Sequence, residues 1–322
     1  MSRPTPAWTP PTREGVSPSR VAVSGGPWAS VAEFLAARLP AGQDWRPRLA
    51  RGEVLDAQGQ ALAAEAPCPT GALLWYWRSL PPEPRVPFEV ELLHQDDHLV
   101  AVDKPHFLSV TPTGRYLQET VLVRLKRQLG LDTLVPMHRL DRETAGVLLF
   151  TVQPGSRHAY QSLLRDHRVH KIYEAIAPWR ADLALPLTVR SRLEERPGEA
   201  FMQMAVVAGE PNAETRIELI ERLPQLTNDA APTHPDEGWA RYRLTPLTGR
   251  KHQLRAQMSA LGLPIAGDRI YPRLWPEPAP GAAPDYRQPL QLLAREFAFT
   301  DPLDGRPRRF VSRRRLLGGG GG

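Results

Sequence analysis

A cluster of charged side chains stands directly before an apolar run in this chain. The segment His138–Glu143 carries five charged or titratable side chains, and Val147–Thr151 follows it closely. The apolar run predicts a buried strand, so Asp141 is predicted to lie in the loop that precedes it. The charges of Arg139 and Arg142 favour the ionised form of this carboxylate. The pattern indicates either a nucleophile or base, or a solvated cluster of surface ion pairs.

Short strand-like segments dominate the second half of the sequence. Strands are predicted at 88–93, 99–102, 147–151, 187–193, 201–207, 213–219, 239–244 and 290–299. Helices are predicted at 119–129, 156–167 and 250–261, where apolar residues recur at helical spacing. Strands in series with little helix between them favour an antiparallel or mixed sheet. The sequence therefore predicts an α+β fold with a mixed, largely antiparallel sheet and flanking helices and loops.

Proline and glycine mark the predicted domain boundaries. Residues 1–20 are proline-rich and are predicted to be a disordered tail. A small module is predicted at 21–84, followed by a larger domain at 85–315 and a flexible, glycine-rich tail at 316–322. The chain contains 35 prolines, so long loops are expected, among them 224–238 and 272–289.

Composition narrows the classes of protein that fit. No apolar segment reaches the roughly 18 residues that span a membrane, and the N-terminus lacks the layout of a signal peptide. Cys68 is the single cysteine, which excludes internal disulfides and fits a cytoplasmic protein. The formal charge of +6 favours an anionic partner. His138 and His252 lack the spacing of metal ligands, so no metal site is predicted and both are expected to hydrogen-bond as scaffold.

Four ordered segments resemble one enzyme family. His138–Gly146 reads HRLDRETAG and resembles the HRLDxxTSG signature of the RluA-type pseudouridine synthases, with Ala145 where serine is usual. Three further segments match the family in the same order, at 99–105, at 171–175 (KIYEA) and at 248–255 (TGRKHQLR) followed by 262–268 (GLPIAGD). The resemblance covers roughly residues 86–312. It implies the pseudouridine synthase fold.

The resemblance also implies a reaction and a set of catalytic residues. Uridines of ribosomal or transfer RNA are isomerised to pseudouridine without a cofactor. Asp141 matches the catalytic nucleophile or base. Arg255 matches the cation that orients it, although the sequence leaves open whether Arg255 or Arg250 pairs with Asp141. Tyr173 matches the tyrosine that stacks on the flipped base, and its hydroxyl is a candidate for removing the C5 proton; the alternative is a tyrosine packed in the core.

Contacts to RNA follow from the same match. RNA-binding side chains are expected at Arg139, Arg142, Lys171, Arg250 and His252. RNA is the expected partner, with neither DNA nor a membrane, and the chain is expected to be a monomer. The family often has Leu-His-Ala near its last strand, where this chain has Leu292-Leu293-Ala294. This departure implies a divergent subgroup whose RNA target does not follow from better-known members.

The predicted module at 21–84 has a weaker resemblance. A helix at 28–39, a basic turn at 46–54, a hairpin tip at 56–60 and a strand at 73–77 are similar to the S4-like RNA-binding module. The alternative is a small packing domain without RNA contact. Two other functions stay open for the whole chain: a catalytically inactive RNA-binding protein of the same fold, and a hydrolase with an aspartate nucleophile. The combination of Asp141, Tyr173 and Arg255 argues against the first.

Overall fold

Two units make up the fold. A computed structural model describes residues 8–39, 44–78, 83–114, 116–196, 202–223, 238–276 and 283–317. The smaller unit comprises Met1–Glu83 and Thr111–Asp132, and the larger comprises Pro84–Val110 and Thr133–Gly322. The predicted loop at 224–238 and the predicted glycine tail at 316–322 lie mostly outside the described residues.

An eleven-stranded sheet forms the larger unit. Its strands are β4 (Glu91–Gln95), β5 (Leu99–Lys104), β6 (Val135–Pro136), β7 (Ala145–Thr151), β8 (Val169–Pro178), β9 (Leu187–Glu195), β10 (Met204–Val207), β11 (Ala213–Leu223), β12 (Trp239–Pro246), β13 (Leu292–Thr300) and β14 (Pro307–Val311). The order is β10-β9-β11-β12-β8-β13-β7-β5-β4, with β14 on β13 and β6 on β7. Among these strands only β13 and β7 pair in parallel. The predicted mixed, largely antiparallel sheet is confirmed.

Burial differs between the centre and the outer part of this sheet. Every residue of β5 and β7 is buried, which suits the apolar runs 99–102 and 147–150, whereas Asp103 and Lys104 at the end of β5 are buried charged residues. The first residues of β11 alternate between buried and exposed, as Thr215 and Ile217 face inward while Arg216 faces solvent. Strands with one solvated face show this alternation. The buried centre therefore lies at the end of the loop that carries Asp141.

Gly146 belongs to β7 rather than to the turn before it. Its φ of +113° is unfavourable for other residues, and a Cβ atom would lie 2.2 Å from the carbonyl oxygen of Ala294. The absence of a side chain lets β7 approach β13, where Gly146 pairs with Ala294. The glycine thus permits the parallel contact that fixes the Asp141 loop against the sheet.

Within the described residues, two α-helices and the short 3₁₀ helix Pro154–Ser156 accompany the sheet of the larger unit. Helix α4 spans Arg157–Arg165 and α5 spans Gln253–Ala260. Helix α5 begins three residues later than predicted because His252 adopts a left-handed φ of 51°. The side chain of Gln253 accepts hydrogen bonds from Thr248 Oγ1 at 2.7 Å and from the Arg250 amide at 3.0 Å. These bonds hold residues 248–252 as a turn rather than as helix.

The smaller unit combines three helices with a three-stranded sheet. They are α1 (Val31–Arg38), α2 (Trp45–Ala50) and α3 (Val121–Leu129), with β1 (Ser19–Ala22), β2 (Val54–Leu55) and β3 (Leu73–Tyr76) in the order β1-β3-β2. The predicted N-cap is present, since Ser30 Oγ accepts from the Glu33 amide at 3.3 Å.

Two features of the smaller unit differ from the prediction. Val16 lies in the proline-rich segment predicted to be disordered, yet it is buried with Leu117 and Val123, because an apolar side chain gains from burial even in an irregular segment. Lys126 of α3 is buried despite its charge and donates to Ser17 Oγ at 3.0 Å. Helix α3, predicted within the larger domain, therefore belongs to the smaller unit.

None of the helices in the described ranges is long and apolar enough to cross a membrane.

Candidate active site

Asp141 is joined to a buried arginine. Arg255 Nη1 donates to Asp141 Oδ2 at 3.0 Å, and the other side of the guanidinium binds Asp268. The two bonds to Asp268 measure 2.8 Å from Nε and 2.7 Å from Nη2. The side chains of Arg255 and Asp268 are 2% and 0% exposed, whereas Asp141 is 29% exposed. The arrangement presents a single carboxylate to solvent from the end of a buried ion-pair chain.

The turn after α5 holds Asp268 in place. Asp268 Oδ1 also accepts from the amides of Ile270 at 2.8 Å and Tyr271 at 3.0 Å. Gly267 precedes it with φ of +74°, and a Cβ atom there would lie 2.4 Å from the Pro289 carbonyl oxygen. Because its acceptors are occupied on both sides, Asp268 fixes the orientation of Arg255.

Neighbouring charges keep Arg255 protonated. Burial on its own lowers the pKa of Arg255, but the hydrogen bonds and charges of Asp268 and Asp141 raise that pKa above its ordinary value. A guanidinium held in this way does not transfer a proton. Arg255 can therefore orient and charge-stabilise Asp141 but cannot serve as an acid.

His252 lies beside the same carboxylate. Its Nε2 is 3.8 Å from Asp141 Oδ2, and its Nδ1 is 3.3 Å from the hydroxyl of Tyr271. Burial lowers the pKa of His252, although the charge of Asp141 opposes this shift. Tyr271 also accepts a hydrogen bond from the Met204 amide at 2.6 Å, and burial raises its pKa to about 12. His252 thus contributes to the wall around Asp141.

Strand pairing brings Tyr173 towards the Asp141 loop. Strand β13 lies between β7 and β8, and its residue Ala294 pairs with Gly146 on one side and with Tyr173 on the other. Tyr173 is partly buried against the core cluster that includes Leu254. Burial and the negative charge of Asp141 both raise the pKa of Tyr173. Its hydroxyl is therefore protonated at neutral pH.

Lys104 supports the backbone of the loop that carries Asp141. Its ammonium is completely buried and donates to the carbonyl oxygens of Pro105 and Leu108, each at 2.8 Å, and of Arg142 at 3.0 Å. Burial lowers the pKa of Lys104 to about 7, while the charges of Glu143 and Asp141 oppose the shift. The lysine is a structural support next to the site, as predicted for this position.

The arginines that flank Asp141 in sequence do not pair with it. Arg139 is exposed and forms no ion pair with any residue in the described ranges. Arg142 Nε instead donates to the Phe107 carbonyl oxygen at 3.1 Å, and Arg142 Nη1 lies 3.2 Å from Glu143 Oε1. Among the described residues, the cation bound to Asp141 is therefore Arg255 and not one of these two arginines.

The remaining predicted RNA contacts lie on neighbouring segments. Lys171 Nζ donates to the Thr248 carbonyl at 3.3 Å, and burial lowers the pKa of Lys171. Arg250 is exposed and binds the Asn212 carbonyl at 3.2 Å rather than Asp141. His138 accepts from the Leu149 amide at 3.3 Å and stacks on Phe297, which matches the predicted scaffold role.

Two residues at the site were missed in the analysis of the sequence. Neither Asp268 nor Tyr271 was predicted as a site residue. The spacing of thirteen residues between Arg255 and Asp268 gives no helical or strand periodicity, so only the GLPIAGD segment itself signals this position. Among the described residues, no group of three or more histidine, cysteine or acidic side chains has the geometry of a metal site.

Comparisons with known proteins identify one family of enzymes. The family described as RNA pseudouridylate synthase matches residues 98–260. An RNA pseudouridine synthase of Synechocystis sp., itself described as uncharacterized, is 32% identical, with 71% of this chain and 74% of that protein covered. The dual-specificity RNA pseudouridine synthase RluA of Pasteurella multocida is 32% identical over 66% of this chain and 88% of its own length.

Two further matches extend the comparison. The tRNA pseudouridine synthase C of Vibrio cholerae is 32% identical, covering 68% of this chain and 88% of that protein. The solved structure of human RNA pseudouridylate synthase domain containing 1 aligns with a TM-score of 0.55 at 20% identity, covering 72% of this chain and 86% of that one, and supports the fold. The chain belongs to the RluA-type RNA pseudouridine synthases, isomerases that convert uridine in RNA to pseudouridine.

Proposed function

We propose that Asp141 is the group that acts on the ribose of the target uridine. The reaction breaks the C1′–N1 bond, turns the uracil and joins C5 to C1′, after which C5 loses its proton and N1 keeps one. A carboxylate serves either by bonding to C1′ or by removing a sugar proton. The observation that carries the proposal is the bond from buried Arg255 to the partly exposed Asp141. The assignment of Arg255 rather than Arg250 as the orienting cation follows from it.

Tyr173 has two proposed tasks. Its ring stacks on the uracil once the base has left the RNA helix, and its hydroxyl relays the C5 proton by taking that proton as it passes its own to an acceptor. The position of Tyr173 opposite Ala294 and the influence of Asp141 on its pKa support this proposal. The hydroxyl needs a proton acceptor during this step, and we assign that role to the carboxylate of Asp141.

The proposed substrate is ribosomal or transfer RNA. Arg139 and Arg250 are exposed and supply positive charge. Lys171 is bonded to the segment that carries Arg250, and His252 lies beside Asp141. Such charges attract phosphates without reading sequence. Arg142 is the exception, because its guanidinium is engaged by Phe107 and Glu143, and we assign it to shaping the loop. We further propose that the chain acts as a monomer in the cytoplasm, which its single, partly buried Cys68 suits.

The smaller unit is proposed to bind RNA outside the catalytic site. Arg20 and Arg38 are exposed on β1 and on α1. Two arginines on one small unit provide phosphate contacts of the kind that add affinity.

Mapping of pseudouridine tests the proposed function. RNA from cells that lack this protein should have uridine at one or more positions of ribosomal or transfer RNA where wild-type RNA has pseudouridine. The purified chain should restore the modification in that RNA. Complete retention of every pseudouridine, together with RNA binding but no turnover, would favour the alternative of a catalytically inactive RNA-binding protein.

A further inference from the structure

An exposed tryptophan follows the turn that holds the Asp141–Arg255–Asp268 chain. Trp275 is 52% exposed, and Leu274 beside it is 39% exposed. Arg273 and Pro272 are exposed as well. The exposed part of this indole adds nothing to the buried core, and aromatic side chains with one free face are typical of sites that bind another molecule.

The backbone around Trp275 is fixed at both ends. Tyr271 is 6% exposed and its hydroxyl is bonded to the Met204 amide. The Trp275 amide donates to the Arg269 carbonyl at 2.8 Å, which closes residues 269–275 into a loop. Asp268, directly before this loop, binds the Ile270 amide with the same carboxylate that holds Arg255. The exposed indole is therefore attached to the framework that orients Asp141.

Positive charge surrounds the indole. The guanidinium carbon of Arg269 lies 5.8 Å from the centre of the Trp275 ring, within the range of a cation–π contact. Arg269 is held from the other side by Asp285 at 3.9 Å. This gives an aromatic ring beside one cation, with the exposed Arg273 two residues earlier in the chain. A nucleotide matches this combination, because it brings a base that stacks and a phosphate that pairs with arginine.

We propose that Trp275 stacks on an unpaired nucleotide of the substrate that neighbours the target uridine. The inference rests on the proposed function, because it assumes that RNA binds at Asp141. Trp275 would act as a binding and specificity residue rather than in the chemistry. A base held there would fix the register of the RNA strand relative to Asp141, so that one uridine rather than its neighbour is presented.

Substitution of Trp275 combined with removal of single bases tests the proposal. The assay uses the full chain and an RNA fragment that contains the mapped target uridine, with an abasic nucleotide placed in turn at each flanking position. In the wild-type protein, one abasic position should weaken binding by about 5- to 150-fold, the range expected for one stacked base. Trp275→Ala should weaken binding of the intact RNA by a similar factor, with the single-turnover rate at saturating protein largely kept.

The two effects on affinity should not add. In Trp275→Ala the abasic position should have little further effect, and Trp275→Phe should restore most of the affinity because it keeps an aromatic face. Leu303→Ala, at another exposed apolar position of the same unit, serves as the control and should bind as wild type. Additive effects at every position, or wild-type affinity of Trp275→Ala, would overturn the stacking role. Absence of turnover by wild-type protein would instead contradict the proposed function, so the two failures are distinguishable.

Discussion

Arg255 and Asp268 form a bidentate ion pair, at 2.8 and 2.7 Å, in which neither side chain is more than 2% exposed. Such a pair is costly to break from one side, because a buried charge is then left without its partner. The same arginine reaches Asp141 at 3.0 Å. The buried ion pair and the proposed catalytic carboxylate therefore depend on one guanidinium.

Asp268→Asn should destabilise the protein and lower turnover together. The amide oxygen can still accept from Ile270 and Tyr271, but the charge that balances Arg255 is removed. We expect the free energy of unfolding to fall by about 3–5 kcal/mol, measured by urea denaturation. Asp182→Asn is the control, because its pair with Arg180 lies at the surface and the substitution should leave the urea midpoint close to wild type. Equal effects of the two substitutions would contradict the dependence of the fold on the buried pair.

Tyr173→Phe and Tyr173→Leu separate stacking from proton transfer. If the hydroxyl assists removal of the C5 proton, Tyr173→Phe should bind RNA normally and turn over about 10²–10⁴-fold more slowly. Tyr173→Leu should in addition lose on the order of 1–3 kcal/mol of binding. Release of tritium from C5-labelled uridine in single-turnover assays reports the final step. Tyr242→Phe, at a buried strand tyrosine, is the control and should keep its turnover; full activity in both Tyr173 variants would remove this residue from the site.

Lys104 should give stability a distinctive dependence on pH. Its folded pKa is lowered by burial from 10.5 to about 7, so between these values the unfolded chain binds more protons than the folded chain. Stability relative to Lys104→Met should therefore rise with pH, by up to about 1.4 kcal/mol per unit. Urea denaturation of both proteins at pH 7.5 and 9.5 measures this difference, and the variant cancels the contribution of other groups. An identical difference at the two pH values would show that the buried amine does not titrate there.

Salt dependence tests RNA binding by the smaller unit. Substitution is preferable to deletion of residues 21–84, because α3 belongs to the same unit. Arg20→Gln with Arg38→Gln should reduce the slope of log binding constant against log salt by roughly 0.7–0.9 for each phosphate that these arginines neutralise. Arg46→Gln is the matched control, since Arg46 is paired with Glu65. An unchanged slope in the double variant would support the alternative of a packing domain.

Much of this fold was predictable from local patterns in the sequence. The buried strands β5 and β7 contain the apolar runs 99–102 and 147–150, and the position of the HRLD segment before β7 correctly predicted that Asp141 lies in a loop. Arg255 lies in the predicted helix, and its match to the HQxR segment ranked it above Arg250. The structure gives Arg255 the bond to Asp141, while Arg250 binds the Asn212 carbonyl.

Long-range contacts were not predictable in the same way. The ion pair of Arg255 with Asp268 and the contact of Gly146 with Ala294 join segments whose spacing follows no local periodicity. The assignment of α3 to the smaller unit likewise depends on burial of Val16 against Val123, far apart in the chain. Closeness in sequence also failed to identify the cation that pairs with Asp141. Arg139 and Arg142 flank Asp141 in the chain, yet neither pairs with its carboxylate.

The most direct test of the proposed mechanism is turnover by Asp141→Asn. The amide keeps the size of the side chain and can still accept a hydrogen bond from Arg255, but it can neither bond to C1′ nor take up a proton. Conversion of the mapped uridine should be measured in single-turnover assays, alongside RNA affinity and the urea midpoint. We predict RNA binding and stability close to wild type, with pseudouridine formation at background. Turnover near the wild-type rate would contradict the role of Asp141.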